Sequence, residues 1–231
     1  MSSADTRQRL EAAVLQTLRD DGIAGLSART VARRADVNQA LIFYHYDTVP
    51  KLVEAAARGS VAGAIDRYRA DLTAVTTFTE LLAVGRRIND LERAAGNVAV
   101  MTQLVAGAPR DPTIGACART CLDQWNRALE PTVERVLYSS PLRGLVDHHG
   151  VVRAISSAFI GLELYQSVDP AGAADAMTSL EQLGAVLEAI DTLGPVAHRA
   201  IRSRLRRRSR RRAGQADATD SGAAGVSSSP A

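Results

Sequence analysis

With 231 residues, 46% of them hydrophobic, the chain has enough apolar material for a substantial core, and no run of about 18 apolar residues marks a membrane span. The net charge of +3 hides an uneven distribution: residues 1–70 sum to +2, residues 71–198 to −6 and residues 199–231 to +7. Contact with nucleic acid is therefore expected at the ends of the chain and not in its acidic middle.

The opening residues, MSSADTRQRL, carry charges where a secretory leader needs an apolar core, which leads to the expectation of a cytoplasmic protein. A first helix is predicted from about Asp5 to Asp21, with Leu10, Val14, Thr17 and Leu18 on one face and Gly22 as its stop. Ser27 is placed to cap a short helix through Arg34. Asp36 and Val37 make a turn, and Asn38 caps a second short helix to about Tyr46. Thr48 caps the next helix, which runs through Asp71 with Pro50 in its first turn.

Farther along, Thr77-Phe78-Thr79-Glu80 has the form of a capping box. Asp111-Pro112 opens a long helix to about Tyr138, which Pro131 is expected to kink or break. Cys117 and Cys121, four apart on that helix, read as partly buried thiols and not as a disulfide or metal pair. After a loop with Pro141 and Gly144, a helix is predicted from Val151 to Val168. Asp169-Pro170 opens the last helix, ending near Gly194-Pro195. The residues beyond, arginine-rich from Arg202 to Arg212 and then small and polar, cannot build a core and are expected to be disordered. The fold class is all-α, with about nine helices.

Two short helices joined by a tight turn, with one helix in front and a long one behind, make a helix-turn-helix layout. Leu26, Val31, Ala32, Val37 and Ile42 can face one another, and Ala35 is small enough for a close crossing. The other face of the second short helix, through Asn38, Gln39, Ala40, Leu41, Phe43, Tyr44 and His45, has no acidic group until Asp47. Amides and aromatic rings in such an array suit base edges, thymine methyls and phosphates.

The segment from Val31 to Tyr46, VARRADVNQALIFYHY, closely resembles the signature of the TetR (tetracycline-repressor) family of transcriptional regulators. The family's leucine falls on Ile42, its tyrosine on Phe43, its histidine on His45 and its phenylalanine on Tyr46. Its turn glycine is replaced by Asp36, and its lysine at the start of the fourth helix by Val49. The resemblance implies a homodimeric, ligand-responsive repressor that binds a palindromic DNA operator. It implies phosphate contacts from Ser27 and Arg29, base-edge contacts from Gln39 and Leu41 with Ala40 beside them, and backbone contacts from Tyr44 and His45. Phe43, in the same DNA-facing set, lacks the family tyrosine's phosphate-directed hydroxyl, which Tyr44 next door replaces. Asn38 either caps or reads DNA, and Lys51 stands near the missing lysine. The division implied is residues 1–47 for DNA binding, 48–198 for effector binding and dimerisation, and 199–231 as a basic tail.

In the body, Val151, Ile155, Ala158, Leu162 and Tyr165 step by four and three, as do Ala176, Leu180, Leu183, Leu187 and Ile190. Such narrow stripes suit shallow crossings in a four-helix bundle, and the resemblance makes these two helices the dimer interface. Val152 and Phe159 give the first of them a second apolar face, expected to bind the subunit's own body. Asn97, Met101, Gln103 and Trp125, in the middle helices, are candidates for an effector pocket because they mix apolar bulk with a few polar groups. His148 and His149, adjacent at a helix start, are expected to point apart into solvent, and no metal site or cofactor is assigned. No nucleophile motif, phosphate loop or metal spacing points to an enzyme. The competing expectation is a basic helical protein that coats DNA or an anionic surface non-specifically through its arginine tail.

Overall fold

The computed structural model describes residues 2–140, 142–191 and 203. Among these residues the fold is all-α, with nine α-helices and one 3₁₀ turn. The helices are α1 (Ser3–Asp20), α2 (Ala28–Ala35), α3 (Ala40–Tyr46), α4 (Val49–Ala74), α5 (Phe78–Ala94), α6 (Asn97–Gly107), α7 (Pro112–Ser139), α8 (His148–Gln166) and α9 (Pro170–Asp191). The arginine-rich tail predicted from residue 199 lies outside the described residues apart from Ser203, and so does the expected end of the last helix near Gly194-Pro195.

Helix starts are set by side chains that satisfy otherwise orphaned amides. Ser27 Oγ accepts from Thr30 N at 3.0 Å, Thr48 Oγ1 from Lys51 N at 3.3 Å, and Asp111 Oδ1 from Thr113 N at 2.8 Å. Thr77 and Glu80 form the full capping box. Asp147, not foreseen as a cap, accepts from Gly150 N at 2.9 Å and starts α8 three residues earlier than the spacing suggested.

Two expectations need correcting. Of the kink or break expected at Pro131, the break does not occur: α7 runs without interruption from Pro112 to Ser139. Pro131 is exposed while Leu129, Val133, Val136 and Leu137 around it are buried, so packing on both sides holds the helix across the lost amide donor. His148 and His149 do not point apart: their ring centroids lie 4.0 Å from each other, and His149 Nδ1 is 3.0 Å from Glu130 Oε1 on α7. That interhelical contact turns the second ring back over the first.

Two apolar clusters organise the molecule. The first joins Leu10, Val14 and Leu18 of α1, Val31 of α2 and Ile42 of α3 to Leu52 and Val53 of α4, Leu104 of α6 and Cys121 of α7. The second gathers the far half of α4 with α5, the far half of α7 and Val152 of α8. The small N-terminal head thus shares a core with α6 and the first half of α7. Both cysteines are free and buried in this first cluster. The contact with Cys121 and then burial push the Cys117 thiol up, which suits an inert core thiol.

Candidate functional site

The turn between α2 and α3 is set by Asp36, whose φ of 51° and ψ of 53° lie in the left-handed region. Its own amide donates to Arg33 O and that of Val37 to Ala32 O at 3.0 Å, the bond pattern of a Schellman cap that usually takes glycine. Arg9 of α1 holds the aspartate there, donating to its carbonyl at 3.3 Å and its carboxylate at 3.2 Å. The start of α2 is fixed by Ser27, and its end is tied to α1 by Arg34, which pairs with Asp20 and with Asp21. The Arg34 guanidinium and then Gln16 hold the Asp20 carboxyl below its ordinary range.

On α3 two residues face inward, Ile42 and Tyr46, and the others lie on or near the surface. Ile42 is fully buried, and Tyr46 is half-buried with its hydroxyl donating to Glu11 Oε1 at 2.7 Å. Burial and that carboxylate raise the Tyr46 pKa, so the group stays a donor. Gln39 and Ala40 are exposed, Phe43 is 46% exposed and Tyr44 79%. Leu41 and His45 are half-buried, with the His45 ring edge-on to Tyr44 at 4.8 Å. Asn38 caps, its Oδ1 accepting from Ala40 N at 2.8 Å. Arg29 is exposed at the start of α2, beside Ser27. Lys51 is also exposed and pairs with Asp47 Oδ2 at 2.8 Å, while Val49 packs on the first core cluster.

Between the two clusters lies a cavity of about 180 Å³, walled by α4, α5, α6, α7 and α8. Its lining is overwhelmingly apolar, and it includes Asn97, Met101 and Trp125 of the four residues expected there. Gln103 is not among them. It sits on the opposite side of α6, where its Oε1 accepts from Ile23 N at 3.2 Å. Two residues from Met101 is about 200° around a helix, so the spacing alone separates Gln103 from the Asn97–Met101 face. Sequence reasoning missed Asn89 and Glu92, both on the wall. The signal was available: Leu81, Gly85, Ile88 and Glu92 step by four, three and four, which puts a carboxylate on an apolar stripe.

Glu92 accepts from the Tyr68 hydroxyl at 2.8 Å, from Arg67 Nη2 at 3.1 Å and from Asn97 Nδ2 at 2.6 Å. Asn97 in turn accepts from Arg19 of α1 at 2.8 Å. Gly22, with φ of 66°, lets the chain pass close to α6; a Cβ there would meet Gln103 Oε1 at 3.0 Å. Thus α6 faces the cavity with one side and is tied near both ends to α1 and the 3₁₀ turn, Ile23–Gly25.

Of the stripes on the last two helices, Val151 and Ile155 pack on the second cluster, and Ile155 also lines the cavity with Phe159. Leu162, Ala176 and Leu180 are half-buried. Ala158, Tyr165 and Leu183 are exposed, with Leu164, Val168 and Val186 beside them. The Leu187 side chain lies outside the described set. Among the described residues no group of three His, Cys, Asp or Glu could hold a metal ion, and no helix is long and apolar enough to cross a membrane.

No family model matches the chain. Over 175 residues it is 23% identical to the HTH-type nicotine-responsive transcriptional repressor HdnoR of Paenarthrobacter nicotinovorans, covering 74% of this chain and 88% of that protein. Its fold is similar to that of a TetR-family transcriptional regulator of Cytophaga hutchinsonii, with a TM-score of 0.63 at 17% identity, over 81% of this chain and 97% of the other. The multidrug binding protein EbrR, solved with imidazole, is similar with a TM-score of 0.54 at 24% identity, over 75% and 93% of the two chains.

Proposed function

The chain has the fold of the TetR-family transcriptional regulators, and on that premise we propose that it is a sequence-specific DNA-binding repressor, acting as a homodimer and released by a small molecule. One observation carries the reading: α3 is anchored by Ile42 and turns Gln39, Ala40, Phe43 and Tyr44 outward, without an acidic side chain among them. Large aromatic side chains left exposed on a helix anchored by Ile42 add little to the monomer's own core. They fit a groove, with Gln39 and Leu41 on base edges, Ser27, Arg29, Tyr44, His45 and Lys51 on the backbone, and Asn38 kept as a cap.

The dimer is supported by the exposed apolar row of Ala158, Leu164 and Tyr165 on α8 and Val168 just past its end, with Leu183 and Val186 on α9. A two-fold pairing through such a face would set two reading heads at a fixed spacing, which a palindromic operator requires. The effector reading is supported by the apolar cavity and by two similar proteins, one nicotine-responsive and one solved with imidazole. The head is residues 1–47 in this reading and the effector and dimer unit 48–198.

Selection of bound sequences from random DNA tests the proposal. Wild type is expected to enrich one palindrome. Gln39→Ala and Tyr44→Ala should weaken binding to it, the base-edge contact of Gln39 contributing roughly 1–3 kcal/mol, with the melting curve unchanged. Uniform, salt-labile binding without enrichment would instead favour a non-specific coat.

A further inference from the structure

The wall that α5 contributes to the cavity differs chemically from the rest. Its apolar stripe ends in two polar residues, Asn89 and Glu92, each 8% exposed. Glu92 is the sole charged side chain on the described wall. A carboxylate has about four acceptor positions, two on each oxygen. Oε1 accepts from both Arg67 and Tyr68, whereas Oε2 accepts from Asn97 alone, which leaves one position open. Arg67 offsets the charge from a side chain that is itself 54% exposed and therefore solvated. The Asn89 amide makes no hydrogen bond to the described residues, and its polar atoms are not cut off from solvent, so they can exchange water for a ligand. Asn89 and Glu92 are three apart on one helix face, close enough to address one small group. Trp125 and Phe159 bring aromatic rings to the same cavity.

We propose that the cavity takes a protonated amine with a compact apolar body; the inference rests on reading the cavity as a ligand site. One ammonium hydrogen is donated to the open position on Glu92 Oε2 and a second to Asn89 Oδ1. The body lies among the apolar side chains, and the rings favour the positive charge. An anion would meet the Glu92 carboxylate, and a hydrocarbon would leave Asn89 unpaired. At about 180 Å³ the space exceeds the roughly 150 Å³ that holds benzene, so one ring with a short arm fits.

The probes are 2-phenylethylammonium and 2-phenylethanol, which share one carbon frame and differ in charge. Trp125 is the chain's single tryptophan, so its fluorescence reports occupancy of the full-length protein without DNA, with calorimetry as the check. The ammonium is expected to bind at least about tenfold more tightly than the alcohol, the scale of a charge-assisted hydrogen bond. Glu92→Gln should bring that ratio close to one. Asn89→Leu, which removes the amide and keeps the bulk, should weaken the ammonium more than the alcohol and decides the matter if the glutamine variant fails to fold. Equal or tighter binding of the alcohol to wild type, no binding of either, or a ratio that survives the substitutions would overturn the proposal. Binding of the ammonium with no effect on operator affinity would leave the ligand class standing and remove the regulatory reading.

Discussion

Asp36 occupies a backbone conformation that costs most L residues about 1–2 kcal/mol, and aspartate is among those that tolerate it best. Arg9 adds an ion pair, though the Asp36 carboxylate is almost wholly in water and the pair contributes little by itself. Two substitutions separate the backbone from the ion pair. Asp36→Gly should leave stability nearly unchanged, since the freer backbone offsets the lost contact. Asp36→Val, with a branched side chain forced into the left-handed region, should destabilise by about 1–2 kcal/mol. Urea midpoints at unchanged slope would register both. Equal stability of the valine variant would mean that the turn is free to relax and does not fix the angle of α3. The departure at Asp36 was legible in the sequence, because left-handed tolerance is a property of the residue itself. For Gln103 and Glu92 the spacing showed which helix face each occupies, but not which neighbour that face meets, so their partners were not legible.

At the scale of the helices, capping chemistry made most starts readable: Ser27, Thr48, Thr77, Asp111 and Asp169 all stand where a helix begins. At Pro131 no break occurs, because the packing on either side of it outweighs the local penalty. The α8 stripe was harder still. Its spacing identified an apolar helix but could not divide that surface between the subunit's own body, which takes Val151 and Ile155, and the outward row of Ala158 and Tyr165. That division makes a sharper test possible. Leu183 is 61% exposed, so Leu183→Glu should not disturb the fold of a single subunit. In a dimer pairing through this face the same carboxylate would be buried, which costs several kcal/mol unless it is paired, on the order given for a stranded charge. Sedimentation is expected to show folded monomers with a wild-type circular dichroism spectrum. A stable dimer would move the interface elsewhere.

For the molecule as a whole, the decisive arrangement is that α6 is a cavity wall and a support for the head at once. Val98 and Met101 face the cavity, while Asn97 holds Arg19 and Gln103 holds the amide of Ile23. An occupant that displaces α6 by a fraction of an ångström must strain these ties or carry α1 and the turn with it, since packed cores shift between discrete arrangements. Any such coupling is reciprocal: if the occupant lowers operator affinity by some factor, operator lowers occupant affinity equally, and factors of about 5 to 150 are usual. Gln103→Leu preserves the side chain's bulk and removes only the acceptor, leaving the Ile23 amide unpaired at a cost of about 1–3 kcal/mol. Because Gln103 does not line the cavity, occupant affinity in the absence of DNA should remain at the wild-type value. What should shrink is the coupling factor, toward one, because a tie between the moving wall and the head has been cut. Titrating the tightest compound from a thermal-shift screen, with and without operator, measures the factor for both proteins. An undiminished factor in the variant would mean that the signal leaves the cavity by another route, through Asn97 and Arg19 or along α4.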